Sequence, residues 1–364
     1  MEISLLTDIA LIIIVASIFA GLVKLFKQPL ILGYVLGGIT IGPAVLGLVH
    51  NQDLVTTLSE IGIALLLFFI GLELDIKKLK EVGLTAGFIG CLHVITSSGI
   101  GFLAGYLLGF EILECVFIGL IISFSTTMIV VKILSDKNEL DSLHGKMMVG
   151  ILITEDILAV LAMAFVTSIN KITPSLFGLV ILKGIGLLVI SYIIIKYALP
   201  KVFKFFESSP ELLFMGSLAV CAVLSGVAYA LGYSLAIGAF IAGVALTTTQ
   251  YNLEIASKVR PLRDFFAVLF FVTLGMAVVF KGLFELLIPF FVLLLITVII
   301  KPIVIFTYMK LFGFGRRTAV LTGAGLGNTS EFALILVSVA VGAGILSQSV
   351  IILTTLLMVA TATI

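Results

Sequence analysis

The sequence predicts an all-α polytopic membrane protein of about thirteen transmembrane helices, with inverted repeats and two crossed broken helices. Three observations carry this prediction: the composition, the spacing of apolar runs, and the one-sidedness of the basic residues. Of 364 residues, 61% are hydrophobic and 11% charged, and the mean hydropathy is +1.34. Soluble domains average roughly 45–50% apolar and about 25% charged residues, so a soluble fold is excluded. The net charge of +1 and the absence of a basic patch give no reason to expect a nucleic-acid partner. Cys91, Cys115 and Cys221 are odd in number, far apart and inside apolar runs. They lack the spacing of a zinc site or a disulfide framework, and no cofactor is expected.

At about 20 residues per crossing, apolar segments lie near 6–24, 30–48, 54–72, 84–108, 113–134, 147–169, 175–196, 212–230, 235–249, 264–280, 284–309, 318–341 and from 347 onward. The first lacks the basic flank and cleavage site of a removable signal, so it reads as a span. Segment 235–249 is the weakest, being short and Gly-rich. The last reaches Ile364 without a polar flank, which leaves room for a cytosolic regulatory domain beyond it.

The basic residues test this division. All but Lys171, Lys183, Lys281 and Lys301 of the 21 lie in loops that follow odd-numbered spans. Examples are Lys77, Lys78 and Lys80; Lys132, Lys137 and Lys146; and Lys310, Arg316 and Arg317. The positive-inside rule then puts these loops and the carboxyl terminus in the cytoplasm and the amino terminus outside the cell membrane.

Few ionisable groups fall inside spans: Glu60, His93, Glu155, Asp156, Lys183, Lys301 and Glu331. Glu60 and Lys183 sit near outer ends, where long side chains reach water. A lone His93 reads as a helix-packing residue rather than a proton carrier. Glu155, Asp156, Lys301 and Glu331 remain, each roughly 9–13 residues from the cytoplasmic end of its span, hence near one depth. Adjacent carboxylates in the middle of an apolar run, as in 147–169, mark a proton or ion path, because charge there is costly unless paired, hydrated or neutralised.

Two spans are poor helix at that depth: Ser123-Phe124-Ser125-Thr126-Thr127 in the fifth, and residues 323–331, Gly-Ala-Gly-Leu-Gly-Asn-Thr-Ser-Glu, in the twelfth. Glycine and hydroxyl residues weaken helix and offer hydrogen bonds to a freed backbone. Spans 4–6 and 11–13 run in opposite directions, and in each triplet the middle helix is interrupted. Paired interruptions in inverted repeats point to a transport site near the midplane. The half-helix dipoles there need compensating charge, for which Lys301 and Glu331 are suited.

These residues resemble the monovalent cation:proton antiporter superfamily, in the branch with the glutathione-gated potassium efflux antiporters and related sodium/proton antiporters. The ordered set includes Pro29-Leu30-Ile31-Leu32-Gly33-Tyr34 through Ile41-Gly42-Pro43, Phe69-Ile70-Gly71-Leu72-Glu73-Leu74-Asp75, Ser125-Thr126-Thr127, and Glu155-Asp156. It continues with residues 235–243, with Phe270-Phe271-Val272-Thr273-Leu274-Gly275-Met276, and with Ser330-Glu331-Phe332. The resemblance implies a homodimer. Residues 1–82 and 206–282 would form a dimerisation scaffold, 83–170 and 283–364 two core repeats, and 171–205 a linker helix. It also implies that Asp156 is the shared cation and proton carrier, that Ser125, Thr126 and Thr127 help coordinate the monovalent cation, and that Lys301 supports the core. Two positions depart from the family. Glu155 stands where glutamine, aspartate or asparagine is usual. Gly327-Asn328-Thr329-Ser330-Glu331 replaces Gly-Gln-Gly-Gly-Glu.

The expected function is secondary active antiport of a monovalent cation, sodium ahead of potassium, against protons. Asp156 with Thr126 would form the metal site, and oxygen donors suit a hard cation. Glu155, which does not share a helix face with Asp156, is either a second ligand or a partner of Lys301. The alternative is a sodium-coupled symporter of an organic anion, which needs no proton-carrying carboxylate. Enzymatic activity is not expected. An intramembrane protease lacks support because neither His-Glu-x-x-His nor Gly-x-Gly-Asp occurs.

Overall fold

The computed structural model describes residues 2–26, 28, 30–43, 45–49, 52–73, 83–169, 186–187, 189–191, 193–199, 203–204, 209–231, 233, 235–247, 249–276 and 284–363. The chain divides into two compact units: Met1–Leu25, Leu30–Asp75 and Ala164–Ala277 in the first, and Phe26–Pro29, Ile76–Met163 and Val278–Ile364 in the second. Most of the expected seventh span, with Lys171 and Lys183, lies outside the described residues.

The first unit contains α1 (Glu2–Leu25), α2 (Leu30–Ile41), α3 (Gln52–Glu73), α8 (Pro210–Ala230), α9 (Leu235–Thr247) and α10 (Asn252–Met276). Pro210 opens α8, where its missing N–H would have had no helical acceptor. The short Gly-rich segment at 235–249 forms α9. Helix α10 begins twelve residues before the expected span. Its first half carries Glu254, Lys258, Arg260 and Arg263, and from Leu269 to Met276 it is buried throughout.

Glycine lets these helices touch backbone to backbone. A Cβ on Gly71 of α3 would strike the Phe240 carbonyl of α9, and one on Gly243 would strike the Phe68 carbonyl. Gly38 of α2 and Gly275 of α10 meet in the same manner. Close approach of this kind is how helices associate where lipid removes the hydrophobic driving force. Phe68, Phe69, Leu72, Leu224, Ala242, Leu246 and Val259 fill the space around the first crossing.

The second unit contains α4 (Leu84–Leu107), α5 (Ile112–Ser123), α6 (Thr127–Asp136), α7 (Leu143–Ile169) as far as Met163, α11 (Leu287–Leu311), α12 (Arg316–Gly325), α13 (Glu331–Gly342) and α14 (Gln348–Thr363). Two triplets repeat the same order: one long helix, one helix cut in two, one further helix. The fifth span is α5 plus α6, cut at residues 124–126, and the twelfth is α12 plus α13, cut at 326–330. Among the described residues α4 and α11 of this unit, and α1 and α8 of the first, are continuous helices long and apolar enough to cross a membrane.

Within α11, residues Ile296–Ile300 form a π-helical turn immediately before Lys301-Pro302. Proline supplies no N–H to the turn before it, and π turns mark helix sites under functional constraint. Gly323 of α12 packs on the Pro302 carbonyl with no room for a Cβ, which brings α12 against the Lys301 turn. Helices α4, α6, α7, α11 and α12 share a core of Ile89, Val130, Ile151, Leu152, Ile305, Met309 and Ala319, with Leu326 of the second break beside them.

Gly243→Val is expected to destabilise the first unit by about 1–3 kcal/mol through overpacking, lowering the melting temperature in detergent. Gly226→Ala in α8, where a Cβ meets nothing within 4 Å, should leave that temperature unchanged or raise it.

Candidate ion-binding site at the crossed breaks

Each break strands backbone donors and acceptors that water cannot reach inside an apolar medium. The two breaks satisfy one another. Ser330 N–H donates to the Phe124 carbonyl at 3.0 Å, and the Ser125 hydroxyl donates to the Leu326 carbonyl at 3.1 Å. Thr126 N–H donates to Asn328 Oδ1 at 2.8 Å. Phe124 meets residue 330 while Ser125 meets residue 326, so the two segments cross with opposed chain directions. Asn328 also donates through Nδ2 to the Gly325 carbonyl at 3.2 Å, and Ser330 caps α13 by accepting from Phe332 N–H at 3.0 Å.

The half-helix ends receive complementary charge. Helices α5 and α12 present carboxyl ends, where the dipole is negative. His93 Nε2 lies 3.1 Å from the Ser123 carbonyl at the end of α5. Lys301 Nζ donates to the Asn328 carbonyl beyond α12 at 2.8 Å. Helices α6 and α13 present amino ends, where the dipole is positive. Thr127, the first residue of α6, donates its hydroxyl to Asp156 Oδ2 at 2.9 Å, and Glu331 stands in the first turn of α13. Lys301 thus serves a carboxyl end and Glu331 an amino end.

The adjacent carboxylates of α7 differ sharply in environment. Glu155 is 0% exposed and takes the Ser125 N–H on Oε2 at 2.6 Å. Its Oε1 lies 3.2 Å from His93 Nε2. Asp156 is half-buried and binds the Thr127 hydroxyl. Lys301, one of the two expected counterparts of Glu155, is 1% exposed and interacts with it electrostatically, while its own hydrogen bond goes to Asn328. The structure therefore brings Ser125, Thr126, Thr127, Glu155, Asp156 and Lys301 together around one crossing. The oxygens suited to a hard cation that the geometry sets side by side are the Asp156 carboxylate and the Thr127 hydroxyl, 2.9 Å apart.

Two participants were not singled out from the sequence. His93 was set aside as a packing residue, although Ser97 one turn later marks a polar stripe on α4. Ser97 Oγ lies 3.0 Å from His93 Nδ1. Asn328 registered only as a departure from the Gly-rich pattern, yet its side chain bridges the two breaks.

Residues 10–364 match the family described as sodium/hydrogen exchanger, transmembrane. The chain is 30% identical over 367 residues to the Na(+)/H(+)-K(+) antiporter GerN of Bacillus cereus, covering 98% of this chain and 95% of that one. It is also 30% identical to K(+) efflux antiporter 4 of Arabidopsis thaliana, over 93% of this chain and 59% of the relative. The chain thus spans about three fifths of the length of the plant antiporters it matches. Its fold is similar to the structure of the sodium proton antiporter MjNhaP1 from Methanocaldococcus jannaschii, with a TM-score of 0.65 at 16% identity, covering 99% of this chain and 95% of that chain. With the family matched over nearly its whole length, this multi-pass membrane protein belongs to the transmembrane sodium/hydrogen exchanger family, which comprises transporters and not enzymes.

Proposed function

We propose that this protein exchanges a monovalent cation, sodium ahead of potassium, for protons, and that Asp156 carries both in turn. The observation that supports this reading most directly is the contrast between neighbours on α7. Glu155 is sealed and bonded to backbone, whereas Asp156 is half-buried at the amino end of α6 with a hydroxyl beside it. One accessible carboxylate serves a proton and a cation in competition. Loading then depends on pH: at high proton concentration the carboxylate is protonated and the cation is displaced. Thr127, with Thr126 next to it, supplies further oxygen to replace the cation's hydration shell.

Alternating access would open the site to each side of the membrane in turn, the mode expected of paired broken helices. The homodimer, the scaffold role of residues 1–82 and 206–282 and the outside amino terminus belong to this same proposal. The relatives' names include both sodium and potassium, so the ion is a matter for measurement.

The deciding experiment is collapse of an imposed pH gradient in proteoliposomes on addition of Na⁺, K⁺ or Li⁺. Cation-selective collapse by wild type, abolished in Asp156→Asn of normal stability, is the expected result. Robust exchange by Asp156→Asn removes the carrier assignment, and no response by well-folded wild type turns the reading to a sodium-coupled symporter. Thr127→Ala should retain exchange with an apparent KM for the cation raised roughly tenfold, the size of one hydrogen bond to a charged group. The apparent KM of wild type should rise as pH falls, with kcat nearly constant at saturating cation.

A further inference from the structure

His93 stands in the first repeat where Lys301 stands in the second. Each comes from the unbroken helix that precedes a broken one; His93 meets the Ser123 carbonyl at the end of its half-helix, and Lys301 meets the Asn328 carbonyl within the break that follows α12. Both are sealed, His93 at 0% exposure. The hydrogen-bond network assigns the imidazole proton. The Ser123 carbonyl can only accept, so Nε2 carries hydrogen, and the Ser97 hydroxyl lies 3.0 Å from Nδ1. That Nε2–H sits between two oxygens, Ser123 O at 3.1 Å and Glu155 Oε1 at 3.2 Å.

Among the described residues, Glu155 Oε1 has no aligned hydrogen bond of its own. A buried carboxylate oxygen without a donor is unfavourable, and the His93 N–H supplies the positive edge that Oε1 faces. With Oε2 taken by Ser125 N–H, the carboxylate is anchored through one oxygen and faces the His93 ring with the other. It is thereby committed to the backbone of the break.

We propose that His93 is a positioning residue that holds the Glu155 carboxylate against the first break, so that Asp156 is the single carboxylate offered to the transported cation. This rests on Asp156 as carrier. Without the ring, Oε1 loses its neighbouring donor and the glutamate side chain turns toward the break, where a second carboxylate joins the cation shell. A two-carboxylate site binds the cation more tightly and releases it more slowly.

The test measures Na⁺- and K⁺-driven proton flux in proteoliposomes for wild type, His93→Ala, His93→Gln, Glu155→Gln and the His93→Ala/Glu155→Gln double variant, with melting temperatures alongside. His93→Ala should lower apparent KM and kcat together, by roughly three- to tenfold, the scale of coupling between contacting residues. A purely structural loss would lower kcat or yield without tightening KM. In the double variant both parameters should return to those of Glu155→Gln alone. His93→Gln, which keeps an N–H for the Ser123 carbonyl, should stay near wild type. A wild-type KM in His93→Ala overturns the inference, as does a KM change that persists undiminished in the double variant. Should His93→Ala fail to fold, Ser97→Ala releases the ring without removing it and should shift KM and kcat in the same direction by less; an unchanged KM there overturns the inference. Wild type that exchanges neither cation refutes the antiporter reading itself, which separates that failure from one confined to His93.

Discussion

The constraint on which the structure turns is the unmet hydrogen bonding of two interrupted helices inside an apolar medium. An α-helix leaves four donors and four acceptors unsatisfied at its ends, and in a membrane interior no water answers them. Cutting one helix at this depth would be costly. Cutting two and crossing the cuts lets each supply what the other lacks, as between Ser330 N–H and the Phe124 carbonyl. The remaining valences draw in Asn328, Lys301, His93 and Glu155. The repeat architecture, the glycine on Pro302 and the buried charges all follow from that one requirement.

The same requirement produces a site for ions. A crossing whose carboxyl ends are answered by basic side chains leaves two positive amino ends facing acids. Where an acid is wholly committed to the backbone, as Glu155 is, it is part of the scaffold of the break. Where an acid keeps access, as Asp156 does beside Thr127, it can trade partners. Two chemically similar neighbours on one helix thus differ because successive positions point about 100° apart, one sealed in the packed crossing and one half-buried beside Thr127.

Lys301 illustrates how local geometry serves this site. It lies directly after a π-helical turn and directly before proline. The widened turn and the missing N–H break the regular ladder of α11, and Gly323 allows α12 to close on the Pro302 carbonyl. An ammonium sealed to 1% exposure is tolerable there because it donates to Asn328 O and feels the negative charge of Glu155.

Much of this was legible in the chain itself. Apolar runs, the one-sided basic loops, the weak helix at 123–127 and 323–331 and the carboxylates at one depth are one-dimensional properties, because burial depth and helix propensity are set residue by residue along a span. So the helical class, the location of both interruptions and the shared depth of Glu155, Asp156, Lys301 and Glu331 could be read without coordinates, and the grouping of Ser125 to Thr127 with Asp156 was implied by the family resemblance. Partnership could not. Whether Glu155 meets Lys301, a cation or something else depends on which faces of α4, α5, α7 and α12 turn inward, through contacts between residues more than two hundred positions apart, such as Ser125 with Leu326. His93 looked like packing because a lone histidine has no local signature of its role. Only the tertiary fold, by satisfying buried polar groups with whatever the crossing brings near, decided that it would stand between Ser123 and Glu155.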